Sequence, residues 1–183
     1  MTRDAFEHSV RAAGAVLGVD EVLVIGSQAV HASLDEPLPE EALRSIEVDV
    51  AVFGDEDGHQ ADLIDGSIGE ASMFHQTFGY YAQGVVERTA VLPEGWKDRL
   101  VRFESPGTNG VVALCLELHD LWISKAIASR QKDIEFCRVL LEMGVVDPGE
   151  LSARLGLVPD LPKAVRRLVE ARIPVAGPSS SKD

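Results

Sequence analysis

Cysteine is scarce in this chain: among 183 residues only Cys115 and Cys137 occur, both in apolar surroundings. At most one disulfide could form and nothing supports it, so packed free thiols in a reducing compartment are expected. Long apolar runs are missing too. No stretch approaches the roughly 18–20 residues that span a bilayer, which excludes a membrane helix and leaves no membrane partner to expect. Residues Met1 to Glu7 lack the basic-then-apolar layout of a secretory signal, so the expected location is cytoplasmic. Positive charge is in short supply as well: 17 Lys and Arg stand against 30 Asp and Glu, a net charge of −13. That balance argues against generic binding to nucleic acid, whose phosphates require a positive surface. Internal repeats are absent, and low complexity is confined to Gly177–Asp183.

Apolar residues are plentiful. A hydrophobic fraction of 45% over 183 residues suits one domain, or a core with a small appendage. Phe6, Val10, Ala13 and Leu17 recur at helical spacing, with Thr2 or Asp4 to cap the helix and Gly18 to end it. A strand is expected at 22–25, a short helix from Gln28 to Leu34, an exposed loop from Asp35 to Glu41 and a second strand at 46–52. Part of 60–71 reads as helix, 78–90 as a strand or two, 92–96 as a turn and 100–103 as another strand. The loop Ser105–Gly110 is the best boundary, and beyond it the pattern turns helical over 114–128, 132–143, 148–155 and 161–171. These elements predict an α+β fold: an α/β core over 1–106, a helical part over 107–173 and a disordered tail over 174–183.

Chemistry is concentrated between Val22 and Val52. The first strand runs into Gly26-Ser27, small residues whose backbone N–H groups suit a phosphate. On the second strand Glu47 and Asp49 are two apart and share one face, while Val48 and Val50 take the other. Paired carboxylates repel unless a positive group lies between them, and a hard divalent ion such as Mg2+ serves that purpose. A solvated edge would carry the same pair. The apolar setting of Ile46, Val48, Val50, Ala51, Val52 and Phe53 argues for at least one buried side, where uncompensated carboxylates are costly. Together these features suggest a metal-dependent site for a nucleoside triphosphate.

Charge is unevenly spread: residues 1–120 hold 7 Lys and Arg against 22 Asp and Glu, residues 121–183 hold 10 against 8. RNA or a triphosphate would therefore meet Lys125, Arg130, Lys132, Arg138, Arg154, Lys163, Arg166, Arg167 or Arg172, unless these lie scattered on helix surfaces. Lys125 sits among Leu118, Leu121, Trp122 and Ile127, either snorkelling at the rim or aiming its charge at a phosphate. Asp133 is equally a favourable charge at a helix start.

Taken in order, the strand ending in Gly26-Ser27, Ser45-x-Glu47-x-Asp49, Leu92-Pro93-x-Gly95-Trp96-x-x-Arg99-Leu100, and His119-Asp120-Leu121-x-x-Ser124-Lys125 with Arg130-x-Lys132-Asp133 resemble the nucleotidyltransferase-fold family related to AbiEii/MenT-type toxins. The match spans roughly residues 20–145. It implies a mixed β-sheet flanked by helices, with a helical C-terminal part, and transfer of a nucleoside monophosphate from a triphosphate to an acceptor. In the toxins that acceptor is the 3′ end of tRNA, and a cognate antitoxin is a partner. Carried over, Gly26 and Ser27 would bind the nucleotide with Lys125 and Arg130, and Glu47 and Asp49 would bind Mg2+. Glu47, Asp49, Lys125 and Asp133 would form the catalytic set, and Ser45 matches a hydroxyl residue that a partner antitoxin phosphorylates in some toxins. Two departures stand out: Glu47 replaces the usual aspartate, and no third carboxylate is evident on a later strand. Gln83 stands near that place, with Glu87 four residues on. A nucleotide-binding homologue without turnover, or a module that docks an antitoxin, is the alternative.

Overall fold

In the computed structural model, the described residues are 1–35, 37–38 and 40–174. They divide into two compact units, one formed by Met1–Ala90 with Trp96–Glu117, the other by Val91–Gly95 with the chain from Leu118 onward. The α+β architecture and the mixed sheet expected from the sequence are both present.

The first unit contains β1 (Glu21–Val24), β2 (Glu47–Ala51), β3 (Tyr81–Gly84), β4 (Val101–Phe103) and β5 (Val112–Cys115), with helices α1 (Arg3–Leu17), α2 (Glu40–Leu43), α3 (His59–Ile68) and α4 (Met73–Phe78). The sheet order is β3-β2-β1-β5-β4. β1 runs antiparallel to β2 and parallel to β5; β2 and β3 are parallel, β4 and β5 antiparallel. Helix α1 starts where the Thr2 hydroxyl accepts the Ala5 N–H at 3.3 Å, and it ends at Gly18 (φ 67°). Its Phe6, Val10 and Ala13 are fully buried. Phe6 meets Phe103 of β4 with ring centroids 5.2 Å apart, which places α1 on the sheet face that Val22, Val24, Val48, Val50 and Ala82 fill. Helix α3 covers the same face: a Cβ on Gly84 would overlap the Ala61 carbonyl oxygen, so only glycine lets strand and helix approach this closely. The Asp65 carboxylate accepts the Gly84 N–H there at 2.7 Å. Glu47 and Asp49 belong to the opposite face.

The second unit is helical: α5 (Leu118–Ala128), α6 (Gln131–Glu142), α7 (Pro148–Gly156) and α8 (Lys163–Glu170). Leu121, Trp122, Ile123 and Ala126 of α5 form its core with Leu140 and Leu151. The Trp122 indole donates to the Cys137 carbonyl at 2.9 Å, and the fully buried Asp120 pairs with Arg154 at 3.0 Å. Cys115 and Cys137 are buried free thiols, and burial raises the pKa of each. Among the described residues no helix is long and apolar enough to cross a membrane.

The structure departs from the sequence expectations in several places. Residues expected to begin a helix at Leu114 instead form β5, which sits between β1 and β4, and the helix begins at Leu118. The loop at Ser105–Gly110, expected as the boundary, is a 3-10 turn inside the first unit. The short helix expected from Gln28 to Leu34 is present as a 3-10 helix over Ser27–Ala32, the strand or two expected in 78–90 is the single strand Tyr81–Gly84, and α4 has no counterpart among the expected elements. Apart from Pro174, the expected tail at 174–183 lies outside the described residues.

Candidate functional site

The site is built where β1 and β2 lie side by side. The Ile25 N–H donates to the Asp49 carbonyl at 3.2 Å, which holds the β2 acids against the turn that leaves β1. Gly26 shows how close the approach is. A Cβ there would overlap Asp49 Oδ2, so the carboxylate lies directly on the glycine backbone. Glu47, one pleat away on the same face, accepts a hydrogen bond from the Tyr81 hydroxyl at 3.1 Å. The parallel β2–β3 register sets Tyr81 opposite Glu47 and Gln83 opposite Asp49. Burial, together with the hydrogen bond to Glu47 and nearby negative charge, pushes the Tyr81 phenol up to about 12, so it remains a donor at neutral pH.

Ser27 is set by a buried polar chain. The Gln28 side chain is fully buried; its amide donates to the Ser27 hydroxyl at 3.4 Å, and its carbonyl oxygen lies 3.1 Å from His31 Nε2 and 3.4 Å from the Met1 ammonium. His31 stacks on Phe6 at 4.6 Å. Burial first, then the nearby positive charges of Arg3 and the amino terminus, brings its pKa down to about 4, so the imidazole is neutral.

Of the residues singled out in the sequence, the structure brings Gly26, Ser27, Glu47 and Asp49 together in the first unit. Ser45 precedes β2, where its hydroxyl bonds the Glu47 backbone carbonyl at 3.2 Å. Gln83 is exposed on β3. Glu87 lies past the strand, accepting the Gly54 N–H at 3.2 Å and pairing with Lys97 at 2.5 Å. Lys125, Arg130 and Asp133 form a cluster of their own in the second unit. Arg130 Nε donates to Asp133 at 2.6 Å and the Lys125 ammonium lies 3.5 Å away. Burial alone would raise the Asp133 pKa, but the Arg130 hydrogen bond and the two positive charges outweigh it and hold it below the ordinary value. Asp133 also accepts the Arg130 N–H at 3.3 Å and so closes the start of α6. Tyr81, Gln28 and His31 were not singled out; polar residues inside an apolar stretch were the available signal for the last two.

Two carboxylates on a strand, one resting on a glycine and the other held by a phenol, make an oxygen-only donor set. Mg2+ takes such a set through one or two carboxylates, leaving its other positions to water and phosphate. The residues present therefore fit the ion that the sequence resemblance implies. Among the described residues no group of three His, Cys, Asp or Glu side chains is placed to hold a metal; beyond the pair, the exposed Glu70 also acts on the Tyr81 phenol. No curated protein and no solved structure matches the chain. A family model does, over residues 10–156, and it takes in β1, the Gly26-Ser27 turn, the acidic strand and α5 to α7: the chain belongs to the family described as nucleotidyltransferase of unknown function (DUF6036).

Proposed function

We propose that this chain is a Mg2+-dependent nucleotidyltransferase that moves a nucleoside monophosphate from a triphosphate to the 3′ end of tRNA, as the toxin partner of a cognate antitoxin. Family membership supports nucleotidyl transfer in general. The Mg2+ requirement draws support from the Glu47 and Asp49 pair resting on Gly26, the observation that carries the proposal. The tRNA acceptor and the toxin role draw support from the sequence resemblance to AbiEii/MenT-type toxins.

Transfer of this kind depends on positioning and charge neutralisation rather than on covalent help from the protein. Bound Mg2+ would neutralise charge on the triphosphate and on the departing pyrophosphate. Glu47 and Asp49 would hold the ion, each restrained by its neighbour. The Ser27 hydroxyl, its oxygen already facing the Gln28 amide, would turn its proton toward a phosphate oxygen.

The test incubates the protein with Mg2+, labelled CTP or ATP and total tRNA. Wild type is expected to label the RNA, and Asp49→Ala to lose about a hundredfold or more of that activity. Equal labelling by both proteins removes the assignment. Growth arrest on expression that vanishes with Asp49→Ala tests the toxin role. The missing third acid favours a second reading, nucleotide binding without turnover. Its mark is thermal stabilisation by a triphosphate with no labelled product.

A further inference from the structure

The β3 strand sets a phenol and an amide, rather than a carboxylate, opposite the two acids of β2. We infer that the site takes a single divalent ion, with Tyr81 as the positioning residue that fixes Glu47 to receive it. The inference rests on the Mg2+ site proposed above and goes beyond it in stoichiometry and in the role of Tyr81.

Charge argues for one ion. A two-ion centre holds its metals about 3.5–4 Å apart, and two divalent ions carry twice the charge that a pair of carboxylates can balance. No group of three acids is placed to hold a metal among the described residues; the further carboxylate acting on the Tyr81 phenol, that of Glu70, is exposed, and the β3 neighbours of the pair are neutral. Geometry argues for Tyr81. Glutamate has one more rotatable bond than aspartate, so a Glu at position 47 loses more freedom when it is fixed as a ligand. The Tyr81 hydroxyl, 3.1 Å from Glu47 Oε2, restrains that rotation. The phenol is itself held: its residue is 8% exposed, and its ring lies 4.8 Å from the His75 ring. His75 is anchored in turn where its Nδ1 accepts the Ala71 N–H at 3.1 Å. Partners that orient a metal ligand in this way are typically worth about 10–100-fold in metal affinity.

The experiment titrates the full chain with Mn2+ alone and follows loss of the free-ion electron paramagnetic resonance signal. Wild type is expected to bind one ion and Asp49→Ala none. Tyr81→Phe, which keeps the ring and loses the hydroxyl, is expected to bind at least about tenfold more weakly, with the metal-free melting temperature near that of wild type. Two ions per wild-type chain, or wild-type affinity in Tyr81→Phe, overturns the inference while leaving the Mg2+ site in place. Absence of Mn2+ binding by wild type removes both. Gln83→Asp provides a second variant at an exposed position. Restoring a third carboxylate beside Asp49 is expected to bring a second ion, and one ion in that variant overturns the charge argument.

Discussion

Two glycines of the first unit meet different neighbours, and the difference separates function from stability. At Gly26 the atoms that an added Cβ would strike all belong to the Asp49 side chain, and the backbone (φ −98°) is open to any residue. Gly26→Ala should therefore displace the carboxylate and shift the strand pair only slightly, where the new Cβ would lie 2.9 Å from Asp49 Cβ. Transfer is expected to fall by about tenfold to a hundredfold, as misplacement by an ångström can do, with little change in melting temperature. At Gly84 the atoms struck are the Ala61 backbone, which cannot swing aside. Gly84→Ala is expected to cost about 1–3 kcal/mol in overpacking, or several degrees in melting temperature for a chain of this length. Thermal melts and labelling assays on the two variants check the contrast; a Gly26→Ala protein with full activity would mean that Asp49 does not act where it now rests. The acidic pair was legible in the sequence because a period of two is local: Glu47 and Asp49 must share a face once β2 forms. Tyr81 was not, because its partner lies 34 positions away and only the β2–β3 pairing brings them together.

Among the elements, those whose burial follows a single period were readable. Helix α1 carries its apolar residues at helical spacing between a capping Thr2 and a left-handed Gly18, and its position was anticipated closely. Strand β5 was misread because Val111–Leu116 is a short continuous apolar run, which looks the same in a buried strand and a buried helix. Helix α4 has no buried residue to generate a period, although Ser72 and Gly79 cap its two ends. The start of α6 shows how one charge can have a structural use that sequence spacing does not settle. Asp133, 2% exposed, receives both Arg130 and the largely buried Lys125. Asp133→Asn would leave the Lys125 ammonium without that counter-charge, and a loss on the order of 3 kcal/mol is expected from breaking such a pair. Lys125→Met in the Asp133→Asn background should recover part of it. Urea unfolding of the wild type, both single variants and the double variant closes the cycle. Additive losses would show that Lys125 and Asp133 do not stabilise α6 together.

For the whole molecule, an excess of acids and a buried neutral histidine pull stability in opposite directions as pH falls. The chain carries a net −13 at pH 7, and protonating carboxylates relieves its self-repulsion. His31 acts the other way. Its folded pKa near 4 lies below the ordinary 6.5, so between those values the unfolded chain binds the extra proton. Its contribution is therefore intact above about pH 6.5 and is lost as pH falls toward 4. Down to pH 4.5 that loss is worth about 2 kcal/mol. Asp133, with its depressed pKa, gives up its share only at lower pH, and the Met1 ammonium, lowered from 8.0 to about 6, titrates mostly above this window. Salt separates the two main effects, because repulsion between exposed charges is screened over about 3 Å at 1 M ionic strength while a buried imidazole is not. In about 1 M NaCl the urea midpoint is expected to fall between pH 6.5 and 4.5, and His31→Gln is expected to flatten that fall. At low salt the fall should be shallower, since relief of repulsion offsets part of it. A variant whose high-salt profile matches that of wild type would show that protonation of His31 does not govern stability in this range.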